Sequence, residues 1–294
     1  MTWHLVAHEC ELSRPGDFIN VPWRDDGNLV VSNIGGEIVA WDGRCSHRGM
    51  NIHETTHGNA PPLCRYHNRC QKINNMRVEY RRQWKNGWLF VSDDTHDRLC
   101  EVELLGRGTG LRLYNVASYV YECNWAVAIE NALEADHVPF VHAESLAKLQ
   151  ISRKALMLND DGGSTEIFSS GIANTLDKIS HLFHAPRVDW DYLHQYLSPY
   201  ACLSSTRGWT WSLQNYWPRS DGTTAFMHRF YVTKTDRDMS GFFDSAMRLN
   251  ERVFKEDAAI VARVPGLPYG DPEPSEERIA HFRAGCPLSF STFM

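Results

Sequence analysis

The sequence predicts an α+β chain in two parts: a small all-β domain over residues 1–105, then an α+β domain over 106–294 with an antiparallel sheet flanked by helices. Three observations carry this expectation. Residues 1 to about 100 hold short β-rich runs separated by turn residues. Three glycines (Gly106, Gly108, Gly110) fall in five positions within 105–112, which reads as a linker. Beyond it, a strand and a helix-like run precede three long alternating segments and an amphipathic helix.

In the first part, Phe18 to Val21, Leu29 to Ser32, Glu37 to Trp41 and Gly87 to Ser92 read as strands, with Asp25-Asp26-Gly27 and Gly35-Gly36 as hairpin turns. In the second, a strand spans Leu111 to Val120. A helix follows from about Trp125 to Asp136, and Pro139 interrupts it. Segments 195–205, 208–217 and 223–234 read as an antiparallel meander with one face buried. The last helix runs from Phe243 to Val264.

A hydrophobic fraction of 43% and a charged fraction of 22% are those of an ordinary globular chain, excluding disorder and rod-like repeats. The net charge of −6 argues against a nucleic-acid surface, which needs a basic stripe. Met1-Thr2-Trp3-His4 has neither a basic start nor an apolar run, so no signal peptide is expected, and no apolar stretch is long enough to span a membrane. Eight cysteines are too sparse for a disulfide scaffold. Two of them are interleaved with histidines, which points to metal and a reducing, cytoplasmic compartment.

Cys45-Ser46-His47 and Cys64-Arg65-Tyr66-His67 are separated by sixteen residues. Two thiolates and two imidazoles suit a tetrahedral zinc or a [2Fe–2S] cluster with both cysteines on one iron and both histidines on the other. Zinc fingers usually supply paired cysteines and then paired histidines, whereas here the two types alternate within each loop. His53 and His57 read as solvent-exposed loop residues.

The motif C-x-H-R-G, with sixteen residues between its histidine and a following C-x-Y-H, resembles the Rieske domain of the Rieske non-heme iron oxygenases. That likeness implies Cys45, His47, Cys64 and His67 as ligands of a [2Fe–2S] cluster. The family usually has Pro after its second Cys and Gly-Trp after its second ligand loop; here Arg65 and Asn68-Arg69 stand there. Extra cations would favour the reduced cluster or bind an acidic patch on an electron donor.

The second constellation lies at 124–142. On a helix, Glu130, Glu134 and His137 fall at i, i+4 and i+7, one face, and burying such a polar stripe needs a partner. His142 would lie about 140° from His137 on a regular helix, and distortion at Pro139 lets the imidazoles converge. A helix-end pair satisfied by backbone carbonyls is the alternative. The pattern E-N-x-x-E-x-x-H-x₄-H resembles the iron-binding helix of the same oxygenases. The resemblance implies His137 and His142 as ligands of a mononuclear Fe(II), with Glu134 as the bridging carboxylate and Asn131 beside it at the catalytic centre.

A facial triad needs a carboxylate as well. The last helix has an apolar stripe through Ala246, Val253, Ile260 and Val264, with Phe254 and Val261 at its edge, and Asp257 in its midst. A charge there is paired or binds metal. Family members carry a similar V-F-x-x-D segment, which implies Asp257 as the third ligand; a structural salt bridge is the alternative. Glu256 reads as solvated beside Arg252. Trp209, Trp211, Tyr216 and Trp217 are either pocket walls or sheet core.

The resemblance further implies a helix-grip (START-like) fold for the second domain and a head-to-tail homotrimer. No dinucleotide fingerprint is found, so electrons are expected from a separate ferredoxin or flavin reductase. The expected activity is hydroxylation, demethylation or desaturation of a small organic molecule with O₂, with monooxygenation favoured over cis-dihydroxylation. A Rieske electron carrier with a non-catalytic ligand-binding second domain stays as the alternative.

Overall fold

The computed structural model describes residues 3–23, 27–66, 69–70, 79–92, 102–105, 108, 110–160, 162–266, 272 and 276–285. The chain forms two compact units, Met1–Thr109 and Gly110–Met294.

The N-terminal unit is all β. Its strands are β1 (His4–His8), β2 (Asp17–Trp23), β3 (Gly27–Ile34), β4 (Glu37–Asp42), β5 (His57–Asn59), β6 (Leu63–Cys64), β7 (Arg69–Cys70), β8 (Glu79–Lys85) and β9 (Trp88–Ser92). Seven of them form one sheet in the order β1-β9-β8-β4-β3-β2-β5, and β6 pairs with β7 alone. The β3–β4 hairpin turns at Gly35 and Gly36 as the glycine pair demands, both with positive φ (65° and 100°). Asp25 and Asp26, the other expected turn residues, lie outside the described residues, and Gly27 already belongs to β3.

Two expectations are corrected here. Gly108 is no free linker residue: its carbonyl bonds the buried His8 ring at 2.5 Å. A Cβ at Gly108 would stand 2.8 Å from the Trp88 indole nitrogen, so the close approach requires glycine. The division between the two units, after Thr109, falls inside the expected linker, although Leu111 and Arg112 already belong to a strand. His53, read as an exposed loop residue, is only 6% exposed and stacks on Phe18 at 3.6 Å between centroids. Next to Glu54, a lone histidine gives no sign that an aromatic ring waits beneath it. His57 is exposed, as read, but it opens β5 rather than lying in a loop.

The second unit holds β10 (Leu111–Tyr121), β11 (Ser152–Leu158), β12 (Ser164–Ser169), β13 (Tyr192–Leu197), β14 (Ala201–Thr206), β15 (Thr210–Pro218) and β16 (Thr224–Thr233). They make an antiparallel sheet in the order β10-β16-β15-β14-β13-β12-β11. The segment 195–205 is therefore two strands, broken after Leu197 where Pro199 stands. Strands β13 to β16 are buried on both faces rather than one. Among the described residues five α-helices accompany the sheet: α1 (Trp125–Leu133), α2 (Val138–Val141), α3 (Ala173–Phe183), α4 (Ser240–Val261) and α5 (Glu277–Gly285). The last is not marked by apolar periodicity, because its buried face includes Arg278 beside Ile279 and Phe282.

Helix α4, about 33 Å long at 1.5 Å per residue, lies along β10 and β16. Phe254 packs on Phe226 and His228, while Phe243 joins Phe230, Trp209 and Leu176. The β10 side chains bind it at intervals: Tyr114 to Asp244, Asn115 to Glu251 at 3.1 Å, and the Tyr121 hydroxyl to the Phe254 carbonyl at 3.0 Å. Its buried line thus runs through Phe243, Phe254 and Val261, whereas Ile260 and Val264 are over a third exposed. The stripe drawn from sequence is rotated toward the true edge, because α4 is covered on more than one side and several residues there are apolar. No helix among the described residues is long and apolar enough to cross a membrane.

Burial lowers the pKa of His8 and of His53 to about 4, against 6.5 in an unfolded chain. The folded N-terminal unit thus refuses protons that its unfolded form accepts. Its stability is full above about pH 6.5 and falls as pH drops from there through about 4. The urea midpoint of this unit is expected to be lower at pH 5 than at pH 7.5. His53→Phe, which keeps the stack on Phe18 without a titrating ring, should shrink that difference; equal wild-type midpoints would refute the assignment.

Candidate metal centres and their cavity

Two loops bring Cys45 and Cys64 together. In the first, the Cys45 N–H donates to the Met50 carbonyl at 2.7 Å and the Ile52 N–H to Gly43 at 2.9 Å, closing a tight return after β4. In the second, Cys64 ends β6, and the tip before β7 carries His67 and Asn68, which lie outside the described residues. Both thiols are buried against Phe18, Val39, Trp41 and Ile52, while His47 is exposed. The backbone N–H of His47 directed at Cys45 lowers its thiol pKa; burial opposes this, and the Cys64 side chain and the Arg48 N–H assist. Paired inner thiols that favour thiolate, with imidazole outside, fit the mixed ligand set of a Rieske cluster. Arg65, one of the extra cations, pairs with Glu54 at 3.2 Å on the surface, which offsets its field.

The second centre forms where α1 ends. Asn124 caps α1 by accepting the Ala126 N–H at 2.9 Å, and Trp125, Ala126, Val127, Ala128, Ile129 and Leu133 bury most of its surface. Glu134 does not continue the helix as the one-face reading expects. It leaves it with ψ of 141°, and its Oε1 accepts the His137 N–H at 2.7 Å. A carboxylate that caps the following turn competes with helical bonding. Pro139 does not interrupt a helix but opens α2, where a missing N–H costs nothing.

This break points His137 and His142 at each other, their Nε2 atoms 3.2 Å apart. From α4, Asp257 Oδ1 lies 3.0 Å from His142 Nε2 and 3.6 Å from His137 Nε2. Donor atoms about 2.1 Å from one ion and at right to tetrahedral angles lie roughly 3.0–3.4 Å apart; two of the three separations fall in that range and the third, 3.6 Å, lies just beyond it, so a small shift of His137 brings the set onto one ion. The outer nitrogens agree: His137 Nδ1 donates to Glu134 Oε2 and His142 Nδ1 to Glu256 Oε2, each at 2.8 Å. A carboxylate accepts only, so each ring keeps its proton on Nδ1 and offers a lone pair at Nε2. Burial opposes charge on His137, but Asp257 and Glu134 outweigh it and raise its pKa to about 9, as suits a place built for a cation. Asn131 donates to Asp257 Oδ1 at 2.9 Å and fixes its carboxylate.

Glu256 corrects the expectation of a merely solvated residue. Besides Arg252 at 2.8 Å, it takes the His142 ring and the Ser145 hydroxyl (2.6 Å). Its i+4 spacing from Arg252 is legible in the sequence; its reach to His142 is not. Glu130 is likewise held elsewhere, by Arg283 at 2.5 and 2.9 Å.

His137, His142 and Asp257 open on a cavity of about 100 Å³ walled by Tyr192, His194, Gln214, Tyr216 and Arg278. A larger cavity of about 230 Å³ shares Leu146, Ile151, Tyr192, Gln214, Val253 and Phe254 with it and extends between the sheet and α4. Of the aromatics weighed as pocket walls, Tyr216 lines the smaller cavity. Trp209 packs on Phe242, Trp211 on Trp190 and Trp217 on Tyr200.

Residues 2–85 match the Rieske [2Fe-2S] domain and residues 121–281 match the vanillate O-demethylase oxygenase C-terminal domain. The chain belongs to the Rieske non-heme iron oxygenases. Its cofactors are accordingly a [2Fe–2S] cluster and a mononuclear Fe(II), and the described donors, Cys45, Cys64 and His47 at one centre and His137, His142 and Asp257 at the other, are of types that suit them. Similar proteins include the chlorobenzene dioxygenase subunit alpha of Cupriavidus sp. (strain PS12), 37% identical over 67 residues, 22% of this chain and 15% of that one. The toluate 1,2-dioxygenase subunit alpha of Pseudomonas putida is 26% identical over 197 residues, 54% of this chain and 43% of that one. The matched stretches thus span less than half the length of these relatives. Among solved structures, the quaternary ammonium Rieske monooxygenase CntA in complex with an inhibitor superposes with a TM-score of 0.74 at 18% identity, covering 96% of this chain and 86% of that one. Naphthalene 1,2-dioxygenase from Rhodococcus sp. gives 0.68 at 17% identity, with 96% and 87% covered. These two share the fold.

Loss of a carboxylate behind a ligating imidazole typically costs ten- to a hundredfold in metal affinity. Glu256→Ala is expected to weaken Fe(II) binding at the second centre by about that factor and to leave the cluster's visible absorption intact. Unchanged Fe(II) affinity in a titration would remove Glu256 from the site.

Proposed function

We propose that this chain is an oxygenase that uses O₂ and electrons from a separate ferredoxin or flavin reductase to hydroxylate, demethylate or desaturate a small organic molecule. The observation that carries the reading is the convergence of His137 Nε2, His142 Nε2 and Asp257 Oδ1 at the edge of a cavity able to hold such a molecule. When bound, the cluster supplies single electrons, and Fe(II) supplies open positions for O₂ beside the substrate.

The chain's own residues do the rest. Cys45, His47, Cys64 and His67 hold the cluster. His137, His142 and Asp257 form the facial set, Asn131 orients Asp257, and Glu256 orients His142. Glu134 holds the proton of His137 Nδ1 and is still partly exposed, so lone pairs remain for a second imidazole. In a head-to-tail homotrimer that imidazole would be the Rieske histidine of a neighbouring subunit. A solved quaternary ammonium Rieske monooxygenase is described with inter-subunit electron transfer, which supports this assembly. The match of residues 121–281 to a demethylase domain favours monooxygenation over dihydroxylation. An electron carrier would have no use for three metal donors presented to a cavity.

Anaerobically purified protein should contain about three irons per chain, two in the cluster and one mononuclear. Asp257→Ala should bring this to about two with the cluster's electron paramagnetic resonance signal unchanged; three irons in that variant would move the third ligand elsewhere. Glu134→Ala should keep both metals and lose at least a hundredfold in substrate-dependent O₂ consumption. Normal turnover would end its bridging role.

A further inference from the structure

The cavity beside the iron-binding triad has polar side chains that the proposed chemistry does not use. Most of them are committed to one another. Gln214 donates to Ser204 (3.4 Å) and Ser212 (3.3 Å) and accepts from the Tyr216 hydroxyl at 2.9 Å. Glu166 has one oxygen on Arg153 at 2.8 Å and the other on Arg278 at 2.7 Å. Arg278 spends its remaining nitrogens on the Ser164 hydroxyl at 2.9 Å and on His194 Nδ1 at 3.0 Å.

His194 differs. It is 93% buried (7% exposed) on β13, opposite Glu166 in the sheet register, and it lines this cavity. A guanidinium never accepts, so the bond from Arg278 forces the lone pair onto Nδ1 and the proton onto Nε2. Nε2 has no hydrogen-bond partner among the described residues. On a residue otherwise buried, an N–H whose tautomer is fixed and which opens on the cavity offers a donor to an acceptor inside it. Two guanidiniums share the single Glu166 carboxylate behind the ring, and this excess positive charge polarises Nε2–H toward an oxygen. Burial first, and then the Arg278 charge beside it, disfavour protonation of His194.

We propose that His194 anchors the organic substrate, its Nε2–H donating a hydrogen bond to an acceptor oxygen (carbonyl, carboxylate or ether) while the triad faces the bond to be oxidised. Arg278 and Glu166 are positioning residues that hold the donor in place. This inference rests on the oxygenase reading, since it places the substrate in the same cavity.

The test uses two probes of one shape on the oxidised holoenzyme, without reductant so that no turnover occurs. Acetophenone carries an acceptor oxygen; α-methylstyrene has a methylene in its place. Titration calorimetry on the wild type, His194→Phe and His194→Gln gives a double-mutant cycle, with iron content and cluster absorption confirming each fold. His194→Phe should weaken acetophenone about tenfold, the scale of a buried acceptor left unpaired. It should leave α-methylstyrene within about twofold. His194→Gln, which keeps an N–H near Nε2, should restore most of the acetophenone affinity. Equal effects on both probes, or none on either, would overturn the anchor and leave the oxygenase reading standing. Failure of both probes to bind the wild type would overturn it also. The oxygenase reading falls separately, on a missing mononuclear iron or absent O₂ consumption.

Discussion

The second unit depends on one electrostatic requirement: Asp257, mostly enclosed on a long helix with 14% of its side chain exposed, must be paired. Deep burial of an isolated carboxylate costs several kcal/mol, so the fold has to deliver positive charge or metal to it. Two imidazoles, a side-chain amide and the ion they select meet that need. The rest follows from aligning α4 so that Asp257 reaches them. Tyr114, Asn115 and Tyr121 on β10 fix its position along the sheet, and Phe243, Phe254 and Val261 fix its rotation. A slip of one residue would exchange Asp257 for its neighbour Glu256, which now supports His142 from behind. The two acids divide the work because helical geometry turns them about 100° apart.

That division explains what was legible in the sequence and what was not. Spacing alone suffices for residues joined by a short loop, so the Cys-x-His pair and the His137/His142 pair are visible in the letters. Asp257 is visible because a charge inside an apolar stripe is anomalous wherever the stripe's exact edge lies. The edge itself is not, and Ile260 and Val264 fall outside it. The end of α1 also escapes, since whether Glu134 continues a helix or caps the next turn depends on a bond to His137 that propensity does not weigh. Glu256, His194 and Arg278 escape for a related reason. Their meaning lies in partners more than eighty residues away, brought close only by the sheet and by α4 and α5.

The N-terminal unit solves the opposite problem. The ligands proposed for its cluster must be partly buried, to hold thiolates against a dry core, and partly exposed, to exchange electrons. Placing the cysteines at the inner ends of two loops and His47 outside satisfies both. The inner wall is finished by residues that carry no signal of their role. His53 is one: a ring with a pKa of about 4 behaves as an aromatic spacer against Phe18 at neutral pH. Histidine there is packing, although it sits six residues from a histidine that is a ligand in the proposed cluster.

Fold likeness does not name the substrate, because the same architecture serves a quaternary ammonium monooxygenase and a naphthalene dioxygenase. The lining of the cavities narrows the choice on chemical grounds. Leu249, Val253 and Phe254 of α4 make one wall of the larger cavity, and Ser204, Thr210 and Ser212 of the sheet make the other. The acid among its lining residues, Asp191, is held by Arg207 at 2.8 Å and offers no free charge to a ligand. A cation in this larger cavity would therefore find no free counter-ion among its lining residues. Apolar walls supply most of the binding energy to a ligand of this size, while a few fixed donors decide its orientation. In such a cavity the bond presented to the iron is chosen by the distance between the anchoring donor and the triad, and His194 sets one end of that distance.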